Sequence, residues 1–174
     1  MSKADAKIRT PVDLVGKVVG VYQGFDTDNV LSLMLSKLGI ARSDVDIRPA
    51  GQLAAFQKGD FDVWPAYRFN EPLLMRAQDV AVECMKPEDF GIQYYSDSLI
   101  VSDKFLSEQP ETANAFVRAS QRGWQYALDR PLEVIDLMYQ AKINLPDDAQ
   151  TRQHQLAMLT EVLNYIDRPA GEEL

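Results

Sequence analysis

The chain has 174 residues, 46% of them apolar and 25% charged, with a formal net charge of −8. This is globular composition, long enough for one substantial core or two small ones, and it excludes a disordered chain. Net negative charge without a dense Lys/Arg cluster excludes a nucleic-acid partner, and the longest apolar runs fall far short of the roughly 20 residues that a membrane-crossing helix needs.

Residues 1–12 open with MSKADAKIRT, a polar lead that lacks the apolar stretch of an export signal. PVDLVG at 11–16 predicts a short turn of helix entering KVVGVY at 17–22, whose β-branched content suits a buried strand. Gly24 breaks that strand. A helix follows over 27–38, with Val30, Leu31, Met34, Leu35 and Leu38 at helical spacing and Gly39 at its C-terminal end.

The loop between them, Gly24-Phe25-Asp26-Thr27-Asp28, has two readings. A glycine before helix-starting N–H groups suits an anion, but the two aspartates can cap those groups themselves and repel one. A ligand at Gly24, Phe25, Asp26 or Thr27 is therefore expected to be neutral or cationic.

The alternation continues with a short strand at 45–48, a helix at 51–58, a turn at Gly59-Asp60, a strand at 61–67, a helix at 70–78 with Pro72 in its first turn, and a strand at 80–84. Such β-α-β-α order predicts a mostly parallel sheet with helices on both faces, whose ligands bind beyond the carboxyl ends of the strands. At one such end stands DVWPAYRFNEPLL. Trp64, Tyr67 and Phe69 offer flat faces, while Asn70 and Glu71 supply donors and acceptors that could orient a flat heterocycle carrying amino groups. In the alternative, Asn70 caps the next helix, Glu71 favours its positive end, and the rings are core.

Asp89 to Asp97 brings a glycine and the pair Tyr94 and Tyr95, either a hinged crossing or an aromatic strand. Beyond a strand-like 98–101, helical periodicity takes over: Ala113, Phe116, Val117, Ser120, Trp124, Ala127 and Leu128 share one face of a helix at 110–129, and helices follow at 131–141 and 147–166. His154 has no sequence neighbours suited to a metal or to acid–base work, and Cys84 reads as a packed thiol. None of the hydrolase, phosphate-loop, dinucleotide or zinc-protease motifs occurs. No catalytic residue, metal ligand or cofactor is expected.

In chain order, TPVDLVGKVVGVYQG, FNEPLLMRA, DFGIQYYSDSLIVSDKFL and ETANAFVRASQRGWQYALDRPLEVIDL closely resemble the NMT1/THI5-like group of periplasmic solute-binding proteins, over about residues 11–165. The resemblance implies an α/β periplasmic binding fold of type II, a two-lobed clamshell closing on a small molecule such as a thiamine-precursor pyrimidine. It implies an ABC permease as partner, or a fused signalling domain where the same module serves as a sensor input, and a periplasmic location. Carried over, Gly24 to Asp28 match the family's glycine loop, Asn70-Glu71-Pro72 its polar triplet, and Tyr94 and Tyr95 the crossing between lobes.

The resemblance also implies a first-lobe segment ahead of residue 1. Residues 13–92 are then expected to be a second lobe, and 93–174 the helix-rich part of an incomplete first lobe. Its uncovered apolar faces would be met by a second copy of the chain, by a preceding segment, or by looseness. Fungal pyrimidine synthases in the family would offer an enzyme, but their cysteine-rich, iron-dependent chemistry does not match a chain with one Cys and one His.

Overall fold

The computed structural model describes residues 1–94, 97–141 and 145–166. The chain divides into two compact units, Met1–Ser96 and Asp97–Leu174.

The first unit opens with β1 (Ser2–Lys3), so the segment read as a polar lead is part of the fold: Met1 and Ser2 are buried, and Ile8 enters the core. A 3-10 turn at Pro11–Leu14 follows, held by a capping box in which Asp13 Oδ2 accepts from the backbone N–H of Thr10 (2.8 Å) and from the Thr10 hydroxyl (2.9 Å). Then come β2 (Val18–Val21), α1 (Asp26–Lys37), β3 (Asp46–Pro49), α2 (Leu53–Lys58), α3 (Glu71–Arg76) and β4 (Val82–Glu83).

Strands β2 and β3 pair in parallel, Val18 opposite Asp46 through Val21 opposite Pro49, whereas β1 and β4 pair antiparallel. The expectation of a mostly parallel sheet thus holds for one pair of strands and not the other. Val63 joins the two pairs as a single-residue bridge, parallel to Val19 and antiparallel to Ser2.

Around Val63 the expected strand at 61–67 does not form. Pro65 has no N–H to give a ladder and a fixed φ, so pairing stops within two residues of the bridge. Two side-chain clusters sandwich the strands. Val19 and Val21 pack with Leu31 and Leu35 of α1, while Phe56 of α2 and Met75 of α3 enclose Trp64. Between these strand valines Gly20 points the opposite way, and a Cβ there would lie 3.3 Å from the ring of Phe61. Cys84, expected as a packed thiol, is exposed, because β4 ends at Glu83 before reaching it.

The second unit is helical among its described residues: α4 (Asp103–Glu108), α5 (Pro110–Asp129), α6 (Pro131–Gln140) and α7 (Ala149–Leu163). Its helix starts follow from local chemistry. Ser102 Oγ accepts from Phe105 N, Asp148 Oδ1 accepts from Thr151 N, and Pro110 and Pro131 occupy the first turn, where a missing N–H costs nothing. Arg152 ties α6 to α7 through Asp136, and it also pairs with Asp147 and lies 4.2 Å over the Tyr139 ring.

The expected strand at 98–101 does not form, and Ile100 is 93% exposed. An apolar extended segment becomes a strand only when another offers it a ladder, and no strand is found among the described residues of this unit. The expected apolar face of α5 is likewise largely uncovered: Phe116, Val117 and Trp124 are exposed, and only Ala127 of α5 and Ile135 of α6 are buried. No helix among the described residues is long and apolar enough to cross a membrane.

Candidate functional site

At its carboxyl end β2 runs into Tyr22 and then the turn at Gly24, whose φ of +79° is open to glycine at little cost. Thr27 Oγ1 accepts from Tyr22 N (3.2 Å) and Tyr22 O accepts from Phe25 N (3.1 Å), which folds the turn back over the strand end. Asp26 Oδ1 accepts from Thr27 N (2.9 Å), and the Phe25 carbonyl takes the N–H groups of Asp28 and Asn29. Asp26 thus engages one opening N–H group of α1, and no side chain caps from the N-cap position Phe25, so the self-capping reading holds for Asp26 alone. Asp28 turns away to pair with Arg42. Phe25 is left 67% exposed.

The second loop is organised by Glu71. Its Oε2 accepts from Tyr67 N (2.8 Å) and its Oε1 from Asn70 Nδ2 (3.2 Å). The expected cap therefore differs: the Asn70 side chain makes no N-cap bond, and its backbone carbonyl takes the N–H groups of Leu73 and Leu74 while its amide steadies Glu71. A carboxylate offers about four lone-pair sites, and these two bonds take two of those of Glu71. Tyr67, 43% exposed, stacks on Phe69 with ring centroids 5.5 Å apart.

Trp64 is not the stacking platform that its sequence context suggested. It is 1% exposed, enclosed by Phe56 at 6.3 Å and, edge-on, by Phe61 at 5.2 Å, with its backbone N–H donating to Met1 O. A flat indole that closes a core leaves no face for a ligand.

Electrostatic reach shows which loops share a neighbourhood. The Tyr94 hydroxyl is pushed up by burial and then by the charge of Asp26, by Tyr67 and by Glu88, so it lies near both loops. Tyr22 is likewise pushed up, by burial and then by the Glu71 carboxylate, with Trp64 acting against the rise. Glu88, although burial pushes it up, is held below the usual carboxylate range by its own backbone N–H and by Arg68, with which it pairs at 2.7 Å.

Of the expected contacts, Gly24, Phe25, Asp26 and Thr27 form one loop, and Tyr67, Asn70 and Glu71 form another within reach of the same tyrosines. Tyr95 lies outside the described residues. Tyr22 was missed, although its place at the end of a strand before a glycine turn was a signal in the sequence. So were Arg68 and Glu88, which nothing in their spacing paired. Together the two loops carry aromatic rings, carboxylates and both hydrogen-bond donors and acceptors. Among the described residues, no group of three or more His, Cys, Asp or Glu is arranged to hold a metal ion.

A family model described as NMT1/THI5 like matches residues 1–134. Two curated relatives are similar in sequence. The Riboflavin-binding protein RibY of Chloroflexus aurantiacus is 30% identical over 80% of this chain and 40% of its own length. The Formylaminopyrimidine-binding protein of Halalkalibacterium halodurans is 25% identical over 98% of this chain and 54% of its own.

Among solved structures, the periplasmic aliphatic sulphonate binding protein SsuA of Escherichia coli superposes with a TM-score of 0.66 at 17% identity, over 97% of this chain and 51% of that one. The alkanesulfonate-binding protein SsuA of Xanthomonas axonopodis pv. citri, bound to MOPS, gives 0.58 at 17% identity, over 97% and 54%. The fold is that of these periplasmic binding proteins, and the chain spans about half the length of its relatives.

Proposed function

The chain belongs to the NMT1/THI5-like family, and from that premise we propose that it binds a small, neutral or cationic aromatic nitrogen heterocycle, as the recognition part of a solute-binding protein serving an ABC importer. No covalent bond is made or broken. The first unit acts as the second lobe of the binding protein, and the second unit as the helix-rich part of the first lobe. Work outside the cytoplasm, alongside a permease, belongs to the same proposal and is supported by the periplasmic proteins that share the fold.

The observation that carries the reading is the half-buried Glu71 carboxylate, fixed by Tyr67 N and Asn70 Nδ2 in a loop whose Tyr67 and Phe69 rings stack. A carboxylate covered by a ligand is costly unless a donor meets it, so the ligand should present an amino or amidine-like group. Both sequence relatives are named for binding a nitrogen heterocycle, which points the same way. The Asp26 carboxylate in the first turn of α1, already on the Thr27 N–H, speaks against a sulfonate at the Gly24 turn.

Calorimetric titration with aminopyrimidines tests the assignment. Wild-type chain should bind, and Glu71→Ala should weaken binding by about tenfold or more, the usual scale for a hydrogen bond to a charged group. Unchanged heats in the variant would remove Glu71 from the site.

A further inference from the structure

The apolar stripe of α5 has no cover in the second unit. Phe116, Val117 and Trp124 are exposed, and Ala113, Ser120 and Leu128 beside them are half-buried. The helix runs for 20 residues, so it is about 30 Å long. Placed at about 100° per residue, those six side chains share one side, and the four charged residues of α5, Glu111, Arg118, Arg122 and Asp129, all fall on the other. Thr112 and Ala119 border the stripe on one edge, Asn114 and Gln121 on the other, so its borders carry no charge either. An apolar band with uncharged borders has the composition of an interface core, not of a solvated face.

We propose that this face of α5 is a docking surface for a second copy of the chain, the two helices lying antiparallel about a two-fold axis beside Ser120. The contact uses none of the residues of the binding function proposed above and stands independently of it.

A two-fold contact joins one patch to itself, so the patch must be self-complementary. Reversed about the Ser120–Gln121 step, the stripe sets Val117 of one copy against Trp124 of the other, and Ala113 against Leu128. Each pair forms twice, and each matches a smaller side chain with a larger one. Ser120 meets its own counterpart near the axis, where a small residue lets the helices approach to the roughly 8–10 Å of close packing. The face holds no charge with which to select an acidic or basic partner. Paired, it covers on the order of 500 Å² per copy, at the low end of specific interfaces. The dimer is therefore weak, with a Kd on the order of 10–100 μM. Each copy carries a net charge of −8, so the copies repel at long range, and salt screens that repulsion. Association thus tightens as salt rises, the opposite of what an oppositely charged partner would show.

Sedimentation velocity of the full chain over about 2–200 μM should show monomer giving way to dimer, with association several-fold tighter at about 0.5 M than at about 0.05 M NaCl. Two substitutions change the charge equally on opposite faces of α5. Val117→Glu, at a position already exposed, should weaken the dimer by about tenfold or more, since it sets uncompensated charge inside the contact. Arg118→Gln should leave association within about twofold, as surface changes ordinarily do. Geometry is read separately: in a Cys84→Ser background, Ser120→Cys should give a disulfide-linked dimer under mild oxidation and Arg118→Cys should not, because only facing positions bring Cα atoms within about 7 Å.

A chain that stays monomeric at the highest concentration in high salt, with Trp124 open to acrylamide quenching, leaves the face to a different polypeptide and overturns the inference. A monomer in which Trp124 is shielded overturns it as well, since the chain then covers its own stripe. So does association that weakens with salt, a dimer that Val117→Glu leaves intact, or one that Arg118→Cys links as readily as Ser120→Cys.

Discussion

Single side chains in this molecule act mainly by fixing turns. Asp13 is the clearest: the N–H groups of Arg9 and Thr10, then the Thr10 hydroxyl, hold its carboxyl below the usual range. A carboxyl lowered in the folded state binds fewer protons there than in the unfolded chain. Its contribution is present above its unfolded pKa of about 3.9 and is lost as pH falls through the lower folded value. Asp13→Asn should therefore unfold with a shallower acid dependence below about pH 4 than wild-type chain, read from denaturant midpoints measured across that range. Glu71 was legible as a polar residue at a strand end, and its partners were not. Spacing could place it beside Asn70, but it could not show that Asn70 would spend its amide on Glu71 instead of capping α3. Trp64 was misread for a related reason, because an aromatic before a strand end looks the same in sequence whether its faces are open or are covered by Phe56 and Phe61.

Elements formed where the chain itself supplied every requirement. Helix α5 has Pro110 in its first turn and an unbroken run of helical spacing, and it appears over the predicted residues. Within its interior Gly123 is the poorest helix former, and a Cβ there would meet no atom within 4 Å. Gly123→Ala should therefore stabilise the second unit by about 0.5–1 kcal/mol, the ordinary difference between glycine and alanine inside a helix, seen as a rise in its thermal midpoint by circular dichroism. Strands were less legible, because a ladder depends on residues far away in sequence. At 61–67 Pro65 was a local signal against pairing and should have limited the strand to Val63. At 98–101 nothing local was wrong. The missing ingredient is a neighbour, which no property of those four residues can reveal. The antiparallel pairing of β1 with β4 went unseen because two-residue strands leave almost no periodicity to read.

Across the whole molecule, burial is unequally shared. The first unit encloses Phe56, Trp64, Leu35 and Met75 almost completely, while the second has Ala127 and Ile135 as its buried apolar residues among those described. Local opening is easiest where few apolar contacts must be broken. Amide hydrogen exchange should therefore run at least about tenfold faster in α5 and α6 than in β2 and the Trp64 cluster, with the difference resolved by peptide mass spectrometry. Uniform protection along the chain would contradict this division of the core. Within the first unit, the close approach of Gly20 to Phe61 links the sheet to the Trp64 cluster mechanically. Phe61 meets the backbone of β2 on one side and the indole edge-on, so a methyl group introduced at position 20 would press on it and through it on Trp64. The narrow backbone at the centre of the strand thus sets how closely the Trp64 cluster settles against the sheet, and it makes that inconspicuous glycine the gauge of the core on that side.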